Sequence, residues 1–509
     1  MLGGKILYLI MFVYATELAL SFNIDAENDI DVYDIGNESS MFGYTLALLN
    51  NGAAPLVVGA PNHNGKGAIF QCRSASSQCE EVQFADNAET TTETKRNQTD
   101  GQKFGFSLFK VGNRVIACAP KFKVILETRN GPQTRPIGKC SVFDENLKLK
   151  YSDLPCENAF RFNGHNIFGV GYCLAGFSAT GMPVETYDPM FYVGTPGTRH
   201  TTGLLFSLNS DRPVKANDRL DDFARNSYVG YSVSAGNVID QNEFGDVMTG
   251  APRGNNMNGH AALYKYKNKY EFSWKTNILN PQEQIGSFFG SAVCVADFNN
   301  DKKDDVLIGA PYYSSSGDEG RVYIYKNTGD STYDVSDGNG YKYKGLEQSG
   351  YLDGDKRIGS QFGTTIVNIG DLNKDGYADV AVGAPGGDIG AVYIYNGAKG
   401  GLKNEYSQVI RASSIEGTPK GFGISIASGI DVDENNYNDL AIGAHLAGKA
   451  YLFKSRAVVQ LSSFQRTNIT TIPSDTKKSN CQWENVGYYC FMLDIELKYL
   501  GEGTPMPLN

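Results

Sequence analysis

The 509-residue chain is long enough for more than one domain, and its net charge of −10 argues against nucleic acid as a partner. It holds 58 glycines, 30 tyrosines and 27 phenylalanines but 2 tryptophans, which suits many short strands separated by glycine turns. After the N-terminus no stretch approaches the roughly 20 apolar residues of a spanning helix, so this length of chain is expected to end outside any membrane.

Residues 1–21 read as a secretory signal: Lys5 is the positive flank, Ile6 to Ala15 an apolar run, and Ala19 and Ser21 small residues for cleavage. The following FNIDAENDIDVY contains a short strand, expected to pair with the last repeat described below. A secreted context makes the nine cysteines readable as disulfides. Cys72 and Cys79 bracket a short loop, as do Cys481 and Cys490, while Cys118 with Cys140 and Cys156 with Cys173 are plausible sequential pairs. Spacing alone leaves the connectivity open. Cys294, inside the apolar run SAVCVA, reads as the odd, buried thiol. Asn37, Asn97 and Asn468 each begin an Asn-x-Ser/Thr glycosylation site.

The chain then repeats itself. Gly43, Gly105, Gly176, Gly230, Gly290, Gly363 and Gly423 each open a unit after an apolar residue, and recur about 60 residues apart. Each unit continues to a strand ending Gly-Ala-Pro or close to it, at Pro61, Pro120, Pro196, Pro252, Pro311, Pro385 and His445. A third strand such as GAVYIY follows. A unit of this length, strand after strand, is a four-stranded blade, and seven blades close into a β-propeller that leaves only short protected sheet edges. The fold class is therefore all-β, with a seven-bladed propeller over residues 22–455. An open β array or several small sandwiches would need linkers between units, and there are none.

Three units carry an acidic loop between their first two strands. The middle one, IGDLNKDGYADVAVGAP, places Asp371, Asn373, Asp375 and Asp379 at positions one, three, five and nine. Alternate oxygen side chains suit the oxygen ring of Ca²⁺, which magnesium, reluctant to dehydrate, suits less. An apolar strand follows in place of a helix with a glutamate, so this is a strand-to-strand calcium loop and not an EF-hand. The loop recurs upstream as Asp297, Asn299, Asp301 and Asp305, and downstream as Asp431, Asp433, Asn435 and Asp439. Position seven (Lys303, Tyr377, Tyr437) would offer its backbone carbonyl. Position six is Lys302, Gly376 and Asn436 in turn, and lysine tolerates a left-handed backbone poorly, so the first loop is expected to be the most strained or altered. Beyond Phe453 the pattern stops. Residues 456–509, with Cys481, Cys490 and the alternating CFMLDIELKYL, read as the start of a β-sandwich too short to complete, so the chain is expected to be part of a longer protein.

Seven such units, three calcium loops in the last three, the FNID start and the cysteine-paired β tail together resemble the integrin alpha subunit, whose repeat is called FG-GAP. GYCLAGFSA (171–179) is also similar to the family's third-blade sequence, and the insect position-specific type comes nearest. The resemblance covers nearly all of the mature chain. It implies an adhesion receptor, not an enzyme: a head that pairs with an integrin beta subunit, a thigh-like Ig domain beginning in the tail, and a membrane anchor further C-terminal. The head would be the extracellular part of a cell-surface type I membrane protein. About 70 residues separate the second and third opening glycines, with no DxSxS segment, which matches the class without an inserted metal-binding domain. The resemblance also implies that Tyr44, Phe106, Phe177 and Tyr231, just after the opening glycines, gather near the axis and receive a basic side chain of the beta subunit. Aromatic faces suit a cation; packing between blades is their other use.

One departure bears on ligand. RGD-binding relatives have an acidic residue shortly before the fourth-blade Ser-Tyr-x-Gly-Tyr, whereas Arg225 and Asn226 stand there in this chain, and a second acidic position falls in apolar sequence around Phe168. The third-blade loop reads Arg199-His200-Thr201. Recognition of RGD is therefore not expected. A laminin-like or other matrix or cell-surface ligand is, with Arg199 and Arg225 as ligand-face candidates beside their plainer reading as solvated surface. An enzyme would need clustered catalytic or metal-binding side chains, but His63, His165, His200, His260 and His445 are scattered over different units, with no nucleophile elbow. The alternative function is a secreted lectin-like or scaffold propeller acting without a beta subunit.

Overall fold

The computed structural model describes residues 23–458 apart from 27–29, 75, 85–94, 129–130, 158–171, 186–187, 209–213, 216–224, 242, 269–270, 337–339 and 387–389, together with the backbone of 460–467, 481–483, 486–488 and 493–500. The signal-like residues 1–21, Phe168, Asn468 and Cys490 lie outside the described residues. Two compact units emerge, Ile24–Arg456 and a second one containing Ala457–Asn509.

The first unit contains seven four-stranded antiparallel sheets, one for each repeat read from the sequence. Their innermost strands are Thr45–Leu48, Ser107–Val111, Ser178–Met182, Ser232–Gly236, Ala292–Ala296, Thr365–Gly370 and Phe422–Ile430. Each touches the innermost strand of the next blade, and the seventh touches the first, so the ring is closed. The expected N-terminal strand is Ile30–Asp34, which pairs antiparallel with Lys449–Phe453 and so supplies the outermost strand of the seventh blade. The two ends of the first unit thereby share one sheet. Among the described residues two additions stand outside the repeat: a three-stranded sheet of Lys95–Gln98, Lys123–Thr128 and Gly131–Pro136, and a hairpin of Tyr333–Ser336 with Gly340–Tyr343.

Blades stack face to face, so their middle strands are buried on both sides and read as continuous apolar runs rather than alternations. Leu56–Ala60, Asp305–Ala310, Asp379–Ala384 and Asp439–Ala444 are buried throughout, while the outer strand Leu346–Leu352 is largely exposed between its buried ends. The apolar core is accordingly divided among the seams. One cluster joins Phe42, Leu46 and Val58 of the first blade to Ala441 and Leu452 of the last. Others join the fifth blade to the sixth and the sixth to the seventh. The phenylalanine before the opening glycine packs edge-on against the third strand of its own blade, as in Phe289–Tyr323 (5.3 Å) and Phe362–Tyr393 (5.3 Å).

The recurring glycines do two jobs. All seven opening glycines hold φ between +81° and +94°, which an L side chain resists. The glycine of Gly-Ala-Pro instead lies against the next blade. A Cβ on Gly443 would stand 2.0 Å from the Gly43 carbonyl oxygen, closing the ring, and one on Gly250 would stand 1.7 Å from that of Gly290. In the second blade Cys118 occupies this position, cross-linked to its strand partner Cys140. A hydroxyl two residues after the opening glycine latches most seams. Thr45, Ser107, Ser178, Ser232 and Ser425 donate to the carbonyls of Gly105, Gly176, Gly230, Gly290 and Gly43 over 2.7–2.9 Å. Thr365 donates to Ile424 (2.6 Å), and Ala292 leaves the seam between blades five and six without such a latch.

Cys72–Cys79 and Cys156–Cys173 are also disulfide-bonded, and Cys294 is free and buried, as expected. In the second unit Gln460–Thr467 pairs with Leu493–Leu500, and Cys481–Trp483 with Val486–Tyr488. Among the described residues no helix is long and apolar enough to cross a membrane.

Candidate metal centres and interaction face

Each acidic loop leaves the innermost strand of its blade and enters the second: between Ala296 and Asp305 in blade five, Gly370 and Asp379 in blade six, and Ile430 and Asp439 in blade seven. The first carboxylate organises the turn by accepting two backbone N–H groups. Asp297 takes them from Asp301 (3.1 Å) and Lys302 (2.8 Å), Asp371 from Asp375 (3.0 Å) and Gly376 (2.8 Å), and Asp431 from Asn435 (3.1 Å) and Asn436 (2.6 Å). The ninth residue ties the loop to the end of the third strand, where Asp305, Asp379 and Asp439 accept the N–H of Asn327, Gly397 and Ser455 over 2.8–2.9 Å. Position five accepts the N–H of position seven, at Lys303 (3.0 Å), Tyr377 (3.1 Å) and Tyr437 (2.8 Å). In the last loop Asp431, Asp433 and Asp439 bring carboxylate oxygens within 4.8 Å of one another.

Positions four and six take positive φ in all three loops: Asn300 and Lys302 (+55°, +70°), Lys374 and Gly376 (+59°, +91°), Glu434 and Asn436 (+62°, +72°). The first loop is thus strained at Lys302, as its sequence implied, but its backbone is not altered. Burial, with neighbouring carboxylates adding to it, raises the pKa of Asp379 to about 7 and those of Asp305 and Asp439 to about 6. An all-oxygen donor set of crowded carboxylates, half withdrawn from water, fits a hard divalent cation. The residues that would hold it are the side chains at positions one, three, five and nine and the carbonyl at seven.

Blade four carries a fourth, altered copy that sequence reading missed. Asp246 keeps position nine and accepts the N–H of Ile239 (2.6 Å), but Val238 takes position one. Here Lys265 pairs with Asp240. The apolar first position hid the copy from a search for acidic repeats.

At the opposite ends of the inner strands, the four aromatics expected near the axis do meet. Tyr44, Phe106, Phe177 and Tyr231 follow one another with ring centroids 5.0–5.1 Å apart. The row extends to residues the sequence reading did not include: His445 beside Tyr44 (5.6 Å), and Phe288 and Tyr312 beyond Tyr231 (5.2 and 5.8 Å). Phe288 stands two residues before its glycine instead of one after, so repeat spacing did not reveal it. Together they line a cavity of about 690 Å³ whose other wall is Ser291, Gln361, Thr364 and Ser425. Burial raises the Tyr44 phenol well above the ordinary range and raises the Tyr231 phenol as well, so both stay neutral and present their π faces.

On the rim between blades three and four, Tyr228 N–H donates to the Thr201 carbonyl (3.0 Å) and Val229 N–H to that of Thr202 (2.8 Å). This joins the turn of Arg199, half-buried at φ +50°, to the segment containing Arg225, which is exposed. A third arginine, Arg253, lies over the Tyr228 ring (4.9 Å) and donates to its hydroxyl (2.8 Å). Of the glycosylation candidates, Asn37 is exposed, whereas Asn97 is half-buried with its amide atoms withdrawn from solvent.

Comparison with known proteins agrees with this geometry. A profile of the FG-GAP repeat matches residues 289–325 and 362–395. The chain is 30% identical to integrin alpha-4 of Xenopus laevis (92% of this chain, 45% of that protein). It is 30% identical to integrin alpha-8 of Gallus gallus (95% and 47%) and 32% identical to integrin alpha-6 of Gallus gallus (91% and 44%). The chain spans about half the length of the curated relatives it matches.

Proposed function

We propose, from the premise that the chain is an integrin alpha N-terminal region, that it forms the ligand-binding head of a cell-adhesion receptor by pairing with an integrin beta subunit. The observation that carries this reading is the unbroken aromatic row at the mouth of the axial cavity. Four neutral rings in series, with two more beyond, offer a face to a cationic side chain from a partner, at about 0.5–2 kcal/mol per contact. Aromatic anchors around a pocket are typical of the residues that dominate an interface.

The three loops would each take Ca²⁺, at an affinity of roughly 10⁻⁴–10⁻³ M for extracellular modules. Bound calcium would neutralise the crowded carboxylates. Because the ninth aspartate grips the end of the third strand, the loops brace their blades on the side away from the aromatic row. Their role is rigidity, not ligand contact. Ligand would be shared between the aromatic face and the beta subunit. With Arg199, Arg225 and Arg253 on one rim, an acidic group of a laminin-like matrix ligand suits that face better than the arginine of RGD.

Phe106→Ala combined with Phe177→Ala tests the pairing. Capture of the beta subunit by the double variant should fall at least tenfold while its thermal unfolding still shows a folded head. Undiminished capture would remove the aromatic row from the interface.

A further inference from the structure

The loops on the side away from the aromatic row are not independent of one another. Position four of one loop reaches position six or seven of the next. Gln241, at position four of the altered loop in blade four, donates its amide to the carbonyl of Lys302 (2.9 Å) in blade five. Asn300, at position four in blade five, donates its amide to the carbonyl of Gly376 (3.1 Å) in blade six. Lys374, at position four in blade six, places its ammonium 6.0 Å from the Tyr437 ring centre, at position seven in blade seven. In the first two cases the carbonyl held from outside belongs to the residue whose own N–H is bonded to the first carboxylate of its loop. Lys302 N–H donates to Asp297 (2.8 Å) and Gly376 N–H to Asp371 (2.8 Å). The position-six residue is thus gripped on both sides, by the metal-ligand carboxylate of its own loop and by an amide from the preceding blade.

We propose that the calcium loops of blades five to seven form a coupled array in which Gln241 and Asn300, neither of them a metal ligand of the loop it touches, act as positioning residues for the next site. The proposal rests on the calcium reading above. It also accounts for Lys302, of the three position-six residues the one least suited to a left-handed backbone. The Lys302 ammonium donates to the Asn300 side-chain oxygen (2.7 Å), which turns the Asn300 amide nitrogen toward Gly376. Strain at Lys302 is retained where it orients the link to the next loop. A cation drawing Asp297 into place would order the segment carrying Asn300, and Asn300, by holding the Gly376 carbonyl, would fix the residue whose N–H positions Asp371 for the next cation. The coupling is reciprocal, since each site must favour the other by the same factor.

The test is peptide-resolved amide hydrogen exchange on the full chain, titrated with calcium after chelator treatment, giving one midpoint per loop. Asn300→Gly removes the amide and keeps the positive φ without strain. It should raise the midpoint of the peptide covering 371–379 by about 2–10-fold, the range of a single hydrogen bond, and leave that of 431–439 unmoved or moved less. Gln241→Ala should raise the 297–305 midpoint by a similar factor, and its exposed position makes misfolding a poor explanation. Equal shifts in all three loops, or a 371–379 midpoint unchanged in Asn300→Gly, would overturn the coupling and leave the calcium sites standing. Absence of calcium-dependent protection in every loop of the unmodified chain would overturn the calcium reading itself.

Discussion

Ring closure depends on the contact between the last blade and the first, and Gly443→Ala probes it directly. The backbone at Gly443 is not in the left-handed region, so alanine meets no local strain there. What it meets is the first blade: the new Cβ would stand 2.0 Å from the Gly43 carbonyl oxygen and 2.2 Å from Ser425 Oγ. Since ordinary contacts lie above 3 Å, the two blades must part by about 1 Å, at an overpacking cost of roughly 1–3 kcal/mol. The shift also breaks the Ser425-to-Gly43 hydrogen bond of 2.8 Å, for which another 0.5–1.5 kcal/mol or so is lost. The sum is about 1.5–4.5 kcal/mol. With an unfolding entropy of roughly 2 cal/mol/K per residue over the Ile24–Arg456 unit, the melting temperature should fall by about 2–5 °C. The assay is scanning calorimetry at fixed rate in saturating calcium, with Gly52→Ala as control because nothing lies within 4 Å of its added Cβ. A Gly443→Ala protein that melts with the control would refute the closed seam.

Three further outcomes are expected. Removing calcium from about 2 mM with a chelator should cost about 0.6–1.8 kcal/mol per occupied loop, read as a lower melting temperature that Asp371→Ala reproduces in part; a protein indifferent to chelator would contradict the loops' bracing role. Burial lowers the pKa of His260 to about 4 from 6.5, so its neutral ring supports folding above pH 6.5 and that support is lost as pH falls toward 4. The unfolding free energy of the unmodified protein, read from urea titration, should therefore drop by more than that of His260→Gln between pH 7 and 4, by up to roughly 3 kcal/mol, and parallel pH profiles would exclude this cause. In the heterodimer, RGD peptide should not compete for ligand, and Arg225→Asp should weaken binding of an acidic ligand; strong RGD competition before any substitution would defeat the ligand argument.

The blade frame was legible because its signals are backbone requirements that recur. A positive φ at Gly43 or Gly363 and the close approach at Gly250 or Gly443 admit few residues other than glycine, so the pattern stands out above variable loops. The acidic loops were legible for the same reason, since the carboxylate at position one accepts the same two backbone N–H groups in each of the three copies. Contacts between blades were less visible. The hydroxyl at Thr45, Ser107, Ser178 and their counterparts repeats in register, but serine and threonine are common enough that the repeat carried little weight until the acceptor carbonyls were in view. Phe288 and Tyr312 join the aromatic row from other positions in their repeats, and Asn300 and Gln241 act across a seam between separate units. Nothing local in the sequence marks such partners.

The central claim is that this head pairs with an integrin beta subunit. The most direct measurement is co-expression of the secreted chain with candidate integrin beta heads, followed by pull-down in millimolar calcium with and without chelator. The account predicts a stable one-to-one complex with at least one beta chain, weakened by chelator. A well-folded, monomeric propeller that captures no beta chain under any of these conditions would contradict it.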